Sequence, residues 1–362
     1  RILLSSLLGG EARREDLPLL EPGWYRRHGV RLITGESVTR VDAGTRLAWT
    51  SAGRRLRFDR LVFATGARAQ MPAIPGVAAE GVLTFRTLED LDMLRRLVVP
   101  GLPAVVVGGG LLGLEAAHGL RALGAAVTVV HRQHYLMNRQ LDAPAAALLQ
   151  RRLEGDGIAF ALGASPQALG ALQGRVASVR LDDGRALPAR IVVFAAGIEP
   201  NVAVAEAAGV PCARAIRVDR WLRTGVPGIH ALGECCELDG RTFGLVAPVW
   251  QQAEVLADVL CGRDSAGFRH VDAPTQLKVS GIELFSAGAL PFPADAESQV
   301  LCDEARGIYR RLVFAHGRLL GAILLGDRRG GSWYAELIDS GRDVAAERSR
   351  LMFGREYCEA VA

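Results

Sequence analysis

Cysteine, lysine and long apolar runs are scarce in this sequence of 362 residues. Six cysteines are too few for a disulfide scaffold and none falls in a C-x-x-C pair, which reads as a reducing compartment, the cytoplasm. The histidines, His28, His118, His131, His134, His230, His270 and His316, show no metal-ligand spacing, so no metal site is expected. No apolar run approaches the roughly 18 residues of a membrane span, and no charged, apolar and cleavage-site succession opens the chain. Of 43 basic residues only Lys278 is lysine; with a net charge of +4 and no basic block, nothing points to nucleic acid. What is present, 49% hydrophobic and 23% charged residues, suits a folded chain of two or three domains and excludes a disordered or collagen-like one.

The strongest motif runs from Ala104 to Glu115. The apolar Ala104-Val105-Val106-Val107 predicts a buried parallel strand. It enters G-x-G-x-x-G at Gly108, Gly110 and Gly113. A helical pattern follows through Leu120 and Leu123 to a stop at Gly124, and Val127–Val130 predicts the next strand. This is a dinucleotide fingerprint in its βαβ context. The first glycine makes the turn, the second lets a pyrophosphate approach the backbone, and the third lets helix pack on strand.

The chain also resembles itself. Gly53–Gly66 and Gly184–Gly197 share G-R-x-L and V-F-A-x-G at an offset of 131 residues. Each is a polar turn leading into an apolar strand that ends in A-x-G, so two related nucleotide-binding halves are expected. Gly108 precedes Gly197 by 89 residues, and the same spacing from Gly66 falls ahead of Arg1. Counting the strand that leads into that phosphate loop, about 30 to 45 residues are expected to be missing ahead of Arg1, from βαβ dimensions. The absence of an initial methionine agrees with an N-terminal truncation.

Further on, Ile229-His230-Ala231-Leu232-Gly233-Glu234 predicts a short strand ending in Gly-Glu, whose carboxylate can accept hydrogen bonds from ribityl hydroxyls. A helix is expected from about Trp250 to Leu260. From about Ala273 short strands take over, at Leu277–Val279, Leu284-Phe285, Tyr309–Phe314 and Leu319–Asp327, with a hairpin turn at His316-Gly317 and helix pieces at Glu336–Ser340 and Val344–Arg350.

Taken in order, Ala64-Thr65-Gly66, the glycine motif ending at Glu115, A-x-G-x-x-P-N from Ala195 to Asn201, and Gly233-Glu234 resemble a flavoprotein of the pyridine nucleotide–disulfide reductase superfamily. Arg1–Ser6, Gly109–Glu115, Met137–Asp142, Gly244–Pro248 and Leu351–Gly354 are most similar to the N-terminal flavin region of NADH-dependent nitrite reductase large subunits and assimilatory nitrate reductase electron-transfer subunits. The resemblance implies an α/β fold of two Rossmann-like domains and a small α+β C-terminal domain. FAD would be held by 1–98 and 222–268, NAD(P)H by 99–221, with 269–362 as an interface domain.

The same resemblance implies site residues. For FAD these are Arg1 beside the flavin, Val38 at the adenine, Thr65, Gly66 and Arg68 near the phosphates and ribityl chain, and Glu234 as the ribityl-binding acid. Val246 and Pro248 would enter a helix near the flavin ring, though core packing explains Val38, Val246 and Pro248 equally well. For NAD(P)H they are Gly108, Gly110, Gly113, Gly197 and Glu115, the last near the nicotinamide ribose. After Val130 come His131 and Arg132, where an NAD-selective site often carries an acid. Arg132 can accept a 2′-phosphate, and a solvated strand end is the plain alternative; the relatives favour NADH, with NADPH the other choice.

The disulfide reductases' C-x4-C is absent, and Cys235-Cys236 are adjacent, an unlikely geometry for an unstrained disulfide. The chemistry is therefore expected to be flavin-centred, with no catalytic side chain. Electrons would pass from NADH through FAD to an iron–sulfur, sirohaem or molybdenum partner, in nitrite or nitrate assimilation. A rubredoxin or ferredoxin reductase, an NADH oxidase and a non-catalytic nucleotide-binding module stay open, as does a homodimer.

Overall fold

Ala104 to Val107 are all buried, and a run with no polar alternation belongs in the centre of a parallel sheet. In the computed structural model, which describes residues 3–270, 274–277, 279, 281–288 and 290–359, it does. The strand Pro103–Val107 lies between Ile191–Phe194 and Ala126–His131. Val82–Thr84 and Ala159–Leu162 complete a five-stranded, all-parallel sheet. The helices Leu111–Ala122 and Ala143–Gly155 make the crossovers. A second, three-stranded antiparallel sheet, Pro166–Leu172, Arg175–Leu181 and Ala186–Pro188, packs its apolar residues with those of the parallel sheet.

The chain divides into two compact units. The first holds this sheet together with the C-terminal part: Arg1–Arg14, Ala69–Gly197 and Asp272–Ala362. Its C-terminal portion is a five-stranded antiparallel sheet with Arg318–Leu325 at the centre. The helix Gly331–Ser340 sets Tyr334 and Leu337 onto Phe285, Leu312 and Leu324.

The second unit is Glu15–Arg68 with Ile198–Val271. Here Val38–Asp42, Leu47–Thr50 and Arg55–Arg57 form a three-stranded antiparallel sheet. Leu61–Phe63 then pairs in parallel with Ile229–Ala231. Each copy of the sequence repeat is thus a three-stranded meander followed by a strand that ends at its A-x-G, Gly66 or Gly197.

Several elements differ from expectation. The unit crossings fall at 68/69 and 197/198 rather than at 98/99 and 221/222. The reason is pairing: Val82–Thr84 bonds to Val192–Phe194, while Ile216-Arg217 bonds to Cys236-Glu237. The strand Glu297–Asp303 was not expected, because it is a largely exposed edge strand with no apolar alternation. The helix near Trp250 begins earlier, at Val246. Val344 lies outside any helix, its N–H donating to the Gly317 carbonyl at 2.7 Å, so the helix expected there is only Arg348–Leu351. The hairpin at His316-Gly317 has both residues at positive φ, 50° and 73°, as a two-residue turn of the I′ kind requires. Among the described residues no helix is long and apolar enough to cross a membrane.

Candidate functional site: two nucleotide-facing turns

At the end of Pro103–Val107 the chain turns sharply through Gly108, at φ 126°. The Gly108 N–H donates to Val130 O at 2.9 Å, and a Cβ on Gly108 would meet the Ala195 carbonyl oxygen at 2.6 Å. The loop therefore lies directly against the turn that carries Gly197. A Cβ on Gly113 would stand 1.8 Å from Gly108 O, so helix and loop touch backbone to backbone. Gly110 differs: no heavy atom lies within 4 Å of its would-be Cβ. It is the N-cap of Leu111–Ala122, extended at φ −90°, with no side-chain cap bond. A helix N-terminus with unspent N–H groups and a bare approach path fits a dinucleotide pyrophosphate.

His131 is half-buried and faces this loop. Its Nδ1 accepts the Gly109 N–H at 3.1 Å, and its Nε2 lies 3.2 Å from Asn138 Oδ1. Nδ1 is thus the unprotonated nitrogen and Nε2–H the donor. Burial holds the imidazole below its ordinary value; the Asn138 bond opposes this and the Arg132 charge adds to it. Arg132 itself is exposed. Glu115 is half-buried on the loop's helix, and Gly197 is exposed, with Gln70 Oε1 2.8 Å from its would-be Cβ.

The segment after His131 is tied at both ends. Met137 N–H donates to Gly109 O at 2.9 Å. Ser286 Oγ donates to Gln140 O at 2.6 Å. Asp142 caps Ala143–Gly155 with Oδ1, while its Oδ2 accepts Tyr309 OH at 2.7 Å and Arg311 Nη1 at 2.8 Å.

In the second unit, the turn after Leu61–Phe63 is laced to Asn201. Thr65 Oγ1 donates to Asn201 O at 2.7 Å, Asn201 Nδ2 donates to Thr65 O at 2.9 Å, and Asn201 N–H donates to Gly66 O at 2.9 Å. Gly66, at φ 63°, has the Glu234 carboxylate 3.9 Å from its would-be Cβ. The Gly233 N–H donates to Gln252 Oε1 at 2.8 Å, and Val249 Cγ1 lies 3.7 Å from the Gly233 would-be Cβ. The start of Val246–Leu260, with Val246 half-buried and Pro248 buried, is thereby brought to the Gly233-Glu234 turn. Gln252 is fully buried, and its Nε2 has no hydrogen-bond partner. An exposed glycine turn, a carboxylate and spare amide donor capacity fit the hydroxyl-rich chain of a flavin nucleotide.

Not every expected residue joins that group. Arg68 forms a forked, exposed pair with Glu199, at 3.1 and 2.7 Å. Val38 stands opposite Thr50 at the start of its sheet, 44% exposed. Arg1 lies outside the described residues. Asn201, Gln252, Asn138 and Gln70 were assigned no role from sequence. Only Asn201 carried a signal, as the last residue of A-x-G-x-x-P-N.

The adjacent thiols are buried and spend their protons on backbone. Cys235 Sγ lies 3.2 Å from Leu232 O, and Cys236 Sγ lies 3.3 Å from Gly233 O. Burial pushes the Cys236 thiol well above its ordinary value, which suppresses the nucleophilic thiolate. Among the described residues no group of three or more His, Cys, Asp or Glu side chains can hold a metal ion.

A glycine loop on a helix N-terminus, with a second unit built on the same repeat, defines a dinucleotide-binding α/β protein of Rossmann type. The chain belongs to the pyridine nucleotide-disulphide oxidoreductase family, which it matches over residues 1–255. Residues 274–342 match the rubredoxin NAD+ reductase C-terminal domain. The assimilatory nitrate reductase electron transfer subunit of Bacillus subtilis is 37% identical over 97% of this chain and 46% of its own length. The nitrite reductase [NAD(P)H] of the same organism is 39% identical over 97% of this chain and 43% of its own. The chain thus spans about half the length of these curated relatives. A ferredoxin reductase from Rhodopseudomonas palustris superposes with a TM-score of 0.89 at 26% identity, covering 100% of this chain and 90% of that one.

Proposed function

We propose that the protein passes electrons from a nicotinamide dinucleotide through FAD to a small iron–sulfur or rubredoxin-type acceptor. The observation that carries this reading is the C-terminal part, residues 274–342, which resembles the domain of rubredoxin reductases. The fit of the whole chain to a ferredoxin reductase supports it. This favours an acceptor of that kind over the nitrite and nitrate branch expected from sequence. The nitrite and nitrate reading remains second, favoured by 37% and 39% identity to two such relatives. In it, a partner or domain with iron–sulfur, sirohaem or molybdenum centres would complete the path.

FAD, when bound, supplies the exchange between a two-electron hydride donor and one-electron acceptors. The chain's own residues bind and orient. In this reading Gly108, Gly110 and Gly113 admit the dinucleotide pyrophosphate to the helix N-terminus, and His131 fixes Gly109 so that the loop is preformed. Glu115 and Gly197 bound the nicotinamide end, and Arg132 the adenosine end, where it serves NADPH as well as NADH. Thr65, Gly66 and Glu234 hold the FAD sugar chain, with Val246 and Pro248 at the ring and Arg68, Val38 and Arg1 on its periphery. No thiol takes part. The protein would work in the cytoplasm, as a monomer or homodimer.

The test uses the protein at its natural length, loaded with FAD and NADH. Oxidised rubredoxin and a [2Fe–2S] ferredoxin should be reduced within turnovers, whereas nitrite alone should not oxidise the flavin. Rapid reduction of ferricyanide with no reduction of either protein would favour the second reading.

A further inference from the structure

Some arginines of the second unit face carboxylates: Arg54 pairs with Glu36 at 2.7 Å, Arg68 with Glu199 at 2.7 Å and Arg263 with Asp258 at 2.7 Å. Arg46, Arg60 and Arg223 have no ion pair among the described residues. All three line one cavity of about 420 Å³, together with Gly228 and His230. Arg46 sits at φ 55° in the turn before Leu47–Thr50. Arg60 precedes Leu61–Phe63, and its Nη1 is 4.0 Å from the would-be Cβ of Gly228. Arg223 is set by Asp219, whose Oδ1 accepts the N–H groups of Trp221 and Arg223, both at 2.9 Å.

Beneath them lies His230, in the strand Ile229–Ala231 and 6% exposed. Its Nδ1 is buried with no hydrogen-bond partner. Buried polar nitrogens rarely stay unpaired, and three cations sharing one cavity without a counter-ion repel. Burial lowers the His230 imidazole, and the charges of Arg60 and Arg223 lower it further; the Leu222 carbonyl and the Asp219 carboxylate oppose them. The cavity lies at the start of this strand, whereas Glu234 lies past its end.

We propose that this cavity binds a phosphate-class oxyanion, held by the guanidinium groups of Arg46, Arg60 and Arg223 and by His230 Nδ1–H. Guanidinium forks match the oxygens of such an anion, and an exposed arginine rim over a buried donor gives it both an entry and a floor. The ligand is inorganic phosphate or the phosphate of a small phosphomonoester, for which the cavity has room.

Isothermal titration tests this on the natural-length protein with FAD bound and NAD+ saturating, which removes the nucleotide sites from the measurement. Chloride holds ionic strength constant. Inorganic phosphate should bind one saturable site. Arg60→Ala and Arg223→Ala should each weaken it about tenfold, the usual worth of one charge-assisted hydrogen bond. Arg46→Gly, which keeps the positive φ without strain, should weaken it comparably. Ferricyanide reduction by NADH should be unchanged in all three. Glycerol 3-phosphate binding more tightly than phosphate assigns a phosphomonoester; equal or weaker binding assigns the free ion. Absence of saturable phosphate binding, or undiminished affinity in the Arg60→Ala, Arg223→Ala double variant, overturns the proposal. His230→Gln serves as a further arm: it should weaken phosphate binding as the arginine variants do.

Discussion

After Leu61–Phe63 the chain turns through Ala64-Thr65-Gly66; after Ile191–Phe194 it turns through Ala195-Ala196-Gly197. The first turn is held by polar side chains: Thr65 and Asn201 exchange two bonds across 136 residues. The second is held by close packing, with the Ala195 carbonyl filling the space beside Gly108. Thr65 and Ala196 are the positions that differ, and the difference decides how each turn is fixed. A hydroxyl that bridges to a distant amide leaves the Gly66 surface open toward a carboxylate. A methyl that bonds to nothing leaves the second turn to be set by the glycine loop it abuts.

That contrast can be broken most sharply at the packed turn. Gly113→Ala drives a methyl into Gly108 O, and a backbone carbonyl cannot step aside. The expected loss is about 3 kcal/mol or more of unfolding free energy, read by urea denaturation. Gly110→Val, a few ångströms away, should do the opposite. Its backbone is extended and its Cβ space is open, so the melting temperature should hold while NADH affinity drops about a hundredfold by fluorescence titration, through occlusion of the pyrophosphate's approach. Loss of stability in this variant would show that the space is not open.

At the polar turn the effects are smaller. Asn201→Ala removes the amide bond to the Thr65 carbonyl, leaves the Thr65 hydroxyl its bond to the residue 201 backbone carbonyl, and should cost about 1 kcal/mol, while Glu234→Gln should weaken FAD about tenfold and leave stability nearly unchanged. FAD retention on gel filtration separates the two. The Cys235→Ser, Cys236→Ser double variant should keep most acceptor activity, because both thiols already donate to backbone carbonyls that a hydroxyl can also reach. Loss of acceptor reduction with hydride uptake intact would place these thiols on the electron path.

The smallest effect concerns acid. His131 is held below its ordinary value by burial, so the unfolded chain binds its proton first. The stability it contributes is complete above about pH 6.5 and is lost as pH falls through the lower folded value. His131→Gln should flatten this part of the pH–stability curve and reduce NADH affinity a few-fold at neutral pH.

The glycine loop was legible in sequence because its constraints are local: backbone contacts at Gly108 and Gly113 exclude any side chain, and the flanking strand and helix announce themselves by periodicity. Gly66, Gly197 and Glu234 were legible only through the repeat and the resemblance. Asn201 and Gln252 act across long separations, so nothing near them in the chain marks their partners. His131 was placed beside the nucleotide loop by sequence, but its bond to Gly109 was not legible, since a strand-end histidine can turn in or out and only packing decides. The edge strand Glu297–Asp303 escaped because it buries too little to leave a pattern.

Asp142 has a consequence for how the C-terminal sheet can be handled. Tyr309 is 2% exposed and finds its acceptor in a helix cap of the nucleotide-binding sheet, as does Arg311. Severed from residues 69–197, the C-terminal strands would keep their apolar core and strand a phenol and a guanidinium. Such a fragment is not a cassette to be moved between proteins unless its recipient supplies a carboxylate at that place. In amide exchange, the strand Ile308–Ala315 should accordingly open together with the helix Ala143–Gly155, as one cooperative block.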